Sequence, residues 1–177
     1  MTEQQGSTAI RTQAVVDMLA YWTRLREAVQ DVPEKRAFDI LDLSPALLPH
    51  LFVCSIRHDP FEVWFSLQGS WLTESFNQHF TGKRLDHGTM GDFAEVCLTW
   101  IARMCETGEP NYSREVMTSM SGQSVEVECI RLPFKKGGDR VEHMVGAVIP
   151  LDPDNMSLSL GWGAGDGDWE IRSMNGE

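Results

Sequence analysis

The most regular stretch of the chain alternates apolar and polar positions and then runs into a short apolar helix. Residues 61–67 place an apolar side chain at every second position, and a period of two predicts a strand with one buried face. Gly69 has no Cβ and so allows a turn there. Ser70 is expected to cap a helix by accepting a hydrogen bond from an amide near Thr73. The apolar residues within 71–76 predict that this helix packs against the strand.

Two longer helices and four further strands follow from the same reasoning. Residues 11–29 and 92–107 each carry an apolar stripe at helical spacing, and Gly108 with Pro110 ends the second helix. The order helix, two strands, helices, three strands predicts an α+β fold. In it, a five-stranded antiparallel sheet carries helices on one face and an amphipathic helix at its N-terminal end. The further strands are predicted at 51–57, 111–119, 123–134 and 140–150.

The chain has the length and composition of one globular domain. It has 177 residues, of which 42% are hydrophobic and 23% charged. We expect a flexible segment at 1–10, a folded domain at 11–151 and a Gly- and Asp-rich tail at 152–177. Trp162 and Trp169 lie in this tail, where docking is one alternative and mobility the favoured one because ordering so much glycine is costly.

The net charge of −11 argues against nucleic acid and anionic membranes as partners, since both are bound through clustered Lys and Arg. No apolar run is long enough to span a bilayer, and residues 1–7 contain no apolar signal-peptide core. A cytoplasmic location is therefore expected.

Four groups of residues along the chain resemble the short single-domain PAS proteins of proteobacteria. Residues 69–82 are similar to the Gly-Thr turn, aromatic residue and Leu-Thr-Gly of that family, and residues 21–26 resemble its Trp-x-x-Leu-Arg helix. Residues 33–52 resemble its Pro-x-Arg and Leu-Leu-Pro run, and residues 128–134 its late strand. The resemblance covers roughly residues 18–151. It implies a PAS-like sensor or adaptor, and it raises the possibility of a homodimer formed through the leading helix.

Residue types that carry catalysis or hold cofactors are scattered in this sequence. The five histidines show no metal-ligand spacing, and no axial histidine lies on the helix at 92–107, so neither a metal nor haem is expected. Residues 70–85 contain no cysteine for a flavin adduct. The four cysteines are interpreted as buried free thiols. Glu126 and Glu128 share one strand face but are interpreted as solvated charges. No cofactor and no catalytic residue is therefore predicted.

What remains is a predicted apolar pocket and one helical stripe. In the pocket, His143 is the one polar group on an apolar strand face, and a plain core is the alternative for each member. The stripe either covers the chain's own sheet or pairs with a second copy. The pocket candidates are Val53, Phe65, Leu67, Trp71, Phe76, Leu85, Trp100, Ile101, Met104 and His143. The dimer-interface candidates are Val15, Met18, Leu19, Trp22 and Leu25.

Three functions are compatible with these observations. The preferred one is a bacterial, non-enzymatic PAS sensor or adaptor that binds a small organic ligand or a protein partner and signals in trans, since no output domain is recognised in the chain. The second is a small cone-shaped α+β enzyme with His143 or Glu128 as its base. The third is a purely structural interaction module with a filled core.

Overall fold

The computed structural model describes residues 10–118, 124–152 and 170–173. Outside these residues lie the predicted segment 1–10, apart from its last residue, and both tryptophans of the predicted tail. The helices are α1 (Gln13–Val29), α2 (Ser70–Phe76), α3 (His87–Met90) and α4 (Phe93–Thr107). The strands are β1 (Leu51–His58), β2 (Phe61–Gln68), β3 (Asn111–Thr118), β4 (Ser124–Lys135), β5 (Val141–Pro150) and β6 (Glu170–Ser173). Three 3-10 turns, Lys35–Ala37, Ile40–Asp42 and Pro45–His50, join α1 to β1.

All strands form one antiparallel sheet in the order β2-β1-β5-β4-β3-β6. The predicted α+β fold with five antiparallel strands is confirmed, and β6 adds a sixth strand beside β3 that the sequence analysis did not predict. At the other edge, the segment 82–85 bonds to β2, with Phe65 N donating to Lys83 O at 3.0 Å and Leu85 N to Val63 O at 2.8 Å. Backbone pairing thus covers β2 and β3, the edge strands of the predicted five-stranded sheet, and an uncovered edge strand invites pairing with another chain.

Helix α1 lies on one face of the sheet, and α2 to α4 lie on the other. The α1 face, here called the outer face, buries Val15, Met18 and Trp22 against β4 and β5. The Trp22 indole Nε1 donates to Pro133 O at 2.8 Å. The inner face packs a second core against α2 and α4.

The position of α1 corrects part of the predicted dimer interface. Val15, Met18 and Trp22 are at most 2% exposed because the chain's own sheet covers them. Leu19 and Leu25 are partly buried against the same core. Of the two alternatives for the stripe, packing on the chain's own sheet is the one found, while homodimerisation itself stays a prediction.

A β-bulge changes which face several predicted pocket residues occupy. Val53 pairs with Leu67 and Cys54 with Phe65, so Ser66 is an extra residue in β2. An extra residue reverses the alternation of side chains beyond it. Phe65 therefore stays on the inner face, whereas Leu67 is 39% exposed.

The turn into α2 confirms the need for glycine at position 69. A Cβ there would lie 2.2 Å from the Pro49 carbonyl oxygen, so no larger residue fits without moving the backbone. The predicted capping role of Ser70 is wrong, because Gly69 is the N-cap and Ser70 is the first helical residue. A second feature that the sequence analysis did not predict is helix α3, which begins with a capping box formed by Asp86 and Thr89.

Candidate ligand cavity

A cavity of about 60 Å³ lies between the inner face of the sheet and helices α2 and α4. Its wall is mostly apolar and includes five phenylalanines and three methionines. Three polar residues also line it: Gln68, Glu115 and Arg131. Gln68 ties β2 to the chain after α2, since its amide Nε2 donates to Gln78 O at 3.0 Å and its Oε1 accepts from the Phe80 amide. An apolar enclosure with a few polar groups is typical of small-molecule sites.

Four of the ten predicted pocket residues line this cavity: Phe65, Phe76, Leu85 and Ile101. Met104 is buried in the same core, but it does not line the cavity. Trp71 packs against His50 instead, with ring centroids 4.8 Å apart.

Val53, Leu67 and His143 were wrongly assigned to the pocket, since none of them lines it. Val53 packs against the outer-face core. His143 shares the face of Val145, which belongs to that outer core, whereas its neighbour Met144 lines the cavity.

The polar end of the cavity is a buried ion pair that the sequence analysis missed. Arg131 and Glu115 are 4% and 3% exposed, and Arg131 Nη2 lies 3.1 Å from Glu115 Oε1. Arg131 Nη1 donates to Asn111 Oδ1 and Ser113 Oγ, both at 3.0 Å. Ser113 Oγ donates to Glu115 Oε1. Buried charges need such partners because an unpaired one would cost several kcal/mol.

Trp100, another predicted pocket residue, supports the pair without lining the cavity. The Arg131 guanidinium carbon lies 5.1 Å from the centre of the Trp100 ring, within range of a cation–π interaction. Arg131 therefore stays charged and fixed in orientation. Its N–H groups are hydrogen-bonded to Asn111, Ser113 and Glu115, and the plane of its guanidinium group lies near the Trp100 ring.

The thiols near this pair are not nucleophiles at neutral pH. Cys97 and Cys129 line the cavity, and Cys54 lies in the same core. Burial raises the pKa of Cys97 to about 12 and raises those of Cys54 and Cys129 further. Because only a thiolate attacks or ligates, these residues act as apolar wall and core side chains. The expectation of free cysteines is confirmed, with Cys105 half-buried.

Comparison with protein families gives a match to the PAS domain model over residues 10–149. The chain belongs to the PAS domain family. Among solved structures, the chain is similar to the periplasmic sensory domain of the Campylobacter jejuni chemoreceptor Tlp1, with 12% identity and a TM-score of 0.39. That similarity covers 82% of this chain and 57% of the Tlp1 chain, so this PAS domain spans little more than half of that structure. Comparison with curated proteins gives no match.

On the outer face, Glu128 holds the beginning of α1 and is not a solvated charge. Its side chain is fully buried and accepts hydrogen bonds from Arg11 N (2.6 Å), Thr12 N (2.9 Å), Thr12 Oγ1 (2.6 Å) and Tyr112 Oη (2.8 Å). Burial raises the pKa of Glu128, but these hydrogen bonds outweigh it and hold the pKa below its usual value. Glu126, two residues earlier, makes one 3.4 Å contact with Arg114 and is half exposed. The predicted solvated pair thus separates into one anchor and one surface charge.

Neither residue proposed as an enzymatic base reaches the cavity of this PAS domain. Glu128 and His143 both lie on the outer face, and His143 Nδ1 is buried without a hydrogen-bond partner among the described residues. Burial lowers the pKa of His143, with Lys136 and Lys35 acting in the same direction. The described residues also contain no group of three potential metal ligands and no helix long and apolar enough to cross a membrane.

Strand register explains why the Arg131–Glu115 pair escaped the sequence analysis. Arg131 pairs across the sheet with Asn111, and Glu115 with Val127, so the two charges meet only through a diagonal across β3 and β4. The one local signal was a charged residue between Ile130 and Leu132 in an otherwise buried strand. A charge in such a place indicates a partner but does not say which residue it is.

Proposed function

We propose that this PAS domain is a non-enzymatic sensor that binds a small molecule in the cavity between the sheet and α2 and α4. The observation that carries the proposal is the combination of an apolar enclosure with one buried polar end, the ion pair of Arg131 and Glu115. A filled structural core would need neither the open space nor the two charges.

The sheet offers a route from the cavity to the outer face. Met144 lines the cavity, while the next residue, Val145, packs in the core under α1. Cys129 and Ile130 on β4 are arranged in the same way. A ligand that binds one arrangement of these strands better than another would shift α1 by that difference in affinity.

Signalling in trans to a protein partner, homodimerisation and a cytoplasmic location are further parts of this proposal. With the inward stripe of α1 covered, a partner would meet α1 through its outward side, where Val16 and Val29 are 41% and 56% exposed. Acid–base catalysis has less support, because the two candidate bases lie across the sheet from the cavity.

Native mass spectrometry of the purified protein, compared with its denatured mass, tests the sensor. We expect extra mass that disappears on denaturation. Cys97→Met fills part of the cavity and should reduce the retained mass, whereas Cys105→Met, the same change on the same helix away from the cavity, should not. A bare native mass for the wild-type protein would contradict small-molecule binding and favour an adaptor that binds through its surface.

A further inference from the structure

The charges at the polar end of the cavity cancel. Arg131 contributes one positive charge and Glu115 one negative charge, and their side chains are 5% and 4% exposed. A charged ligand would add a third charge with no counterion in this enclosure, and an uncompensated buried charge costs several kcal/mol. The site therefore disfavours both anions and cations.

The two carboxylate oxygens of Glu115 differ in their partners. Oε1 accepts from Ser113 Oγ and from Arg131 Nη2. Among the described residues, none donates to Oε2, although Glu115 lines the cavity. A buried carboxylate oxygen gains about 1.5–3 kcal/mol from a hydrogen-bond donor. A ligand in the cavity would therefore bind more tightly if it carried an O–H or N–H group that donates to Glu115 Oε2.

The rest of the wall determines the remainder of the ligand. The space away from Glu115 is bounded by phenylalanine and methionine side chains such as Phe65, Phe93 and Met117, which offer dispersion contacts and no hydrogen bonds. At about 60 Å³, the cavity is well below the roughly 300–1,000 Å³ of pockets for drug-sized ligands. The ligand is therefore restricted to a few non-hydrogen atoms.

We propose that the cavity selects a small uncharged molecule with an apolar body and one hydroxyl or amide group, which donates to Glu115 Oε2. This inference rests on the proposed function, that the cavity binds a small molecule. Glu115 is the specificity residue, and Arg131 holds its carboxylate in place.

Four probes of one chain length test this selection: 1-butanol, 1-chlorobutane, butyrate and butylammonium. Binding is followed by NMR of methionine methyl groups labelled with ¹³C. Met117 and Met144 line the cavity and report occupancy, whereas Met18, buried on the outer face, serves as the internal control. We expect 1-butanol to shift the two cavity methyls at concentrations at least about tenfold lower than either ion, because either ion would bury an uncompensated charge.

The contribution of the ion pair is isolated by a variant that replaces both charges. Arg131→Met with Glu115→Leu leaves no unpaired charge, and such replacements of buried pairs are often tolerated. In this variant, the affinity ratio of 1-butanol to 1-chlorobutane should fall about tenfold or more from its wild-type value. Far-UV circular dichroism checks that the variant is folded. If the double variant is unfolded, the inference is tested by comparing the affinities of the wild-type protein for 1-butanol and for the two ions.

Four outcomes overturn the inference. Butyrate or butylammonium binding as tightly as 1-butanol would show that the site accepts charge. An unchanged affinity ratio in the folded double variant would show that Glu115 does not select the donor. If no probe shifts Met117 or Met144 and the native mass is bare, the proposed function fails together with the inference. Retained mass of an ionic compound would overturn the inference alone.

Discussion

Replacing Glu128 with glutamine tests whether this buried carboxylate holds α1 on the sheet. The change keeps the shape of the side chain but removes its charge and one of its two acceptor oxygens. The carboxylate accepts four hydrogen bonds, two of them from backbone amides of Arg11 and Thr12. Whichever way the glutamine amide is turned, its NH₂ group faces one of these backbone N–H groups.

The expected loss of stability is about 3 kcal/mol. A buried donor left without an acceptor costs about 1–3 kcal/mol. The remaining bonds also lose their charge assistance, which is worth about 1 kcal/mol for each bond. The helix loses a negative charge at its N-terminus, a further ~0.3–1 kcal/mol. Part of this is offset because a neutral amide is easier to bury than a carboxylate.

Urea and thermal unfolding of the two proteins measure this difference. For a domain of this size, a loss of about 3 kcal/mol lowers the midpoint of thermal unfolding by roughly 6–12 °C. Glu126→Gln is the matched control on the same strand, where a half-exposed carboxylate with one 3.4 Å contact should contribute less than about 1 kcal/mol. Hydrogen exchange should become faster in the first turns of α1 only in the Glu128 variant. Equal stability of the two variants would refute the anchoring role of Glu128.

Three further changes have defined expected outcomes. Trp22→Asp should unfold the domain, because it places a charge in the outer core and removes the hydrogen bond to Pro133 O. A folded monomer, identified by size-exclusion chromatography with light scattering, would instead indicate that Trp22 lies in a dimer interface. Arg131→Met alone leaves Glu115 buried and unpaired and should cost about 3–5 kcal/mol in urea unfolding, and a near-neutral result would contradict the ion pair. Burial lowers the pKa of His50, with the Val148 O hydrogen bond opposing it. The neutral form of His50 therefore contributes stability above the unfolded pKa of about 6.5, and this contribution is lost as the pH falls through the lower pKa of the folded state. His50→Phe should flatten that part of the curve of unfolding free energy against pH. An unchanged curve would be evidence against a contribution of His50 to the pH dependence of stability.

Local patterns in the sequence determined the elements of this PAS domain. The stripe in α1, the alternation in β2 and the glycine after α4 each depend on residues a few positions apart, and helices and strands form on that scale. All three elements were predicted within a few residues, as was the order of the five main strands along the chain, although not their order in the sheet. The need for glycine at position 69 was also predicted correctly, although its cause is not local, since a Cβ there would meet the Pro49 carbonyl oxygen before β1.

Only the tertiary structure decided which faces and partners these elements have. Both faces of the sheet are covered, so β4 is buried at every position from Val127 to Phe134 and shows no alternation that distinguishes its faces. The bulge at Ser66 turned Leu67 outward, and strand register joined Arg131 to Glu115 across two strands. The anchor at Glu128 depends on residues more than one hundred positions away in the chain. Such contacts are fixed by strand pairing and packing, which no local window of the sequence contains.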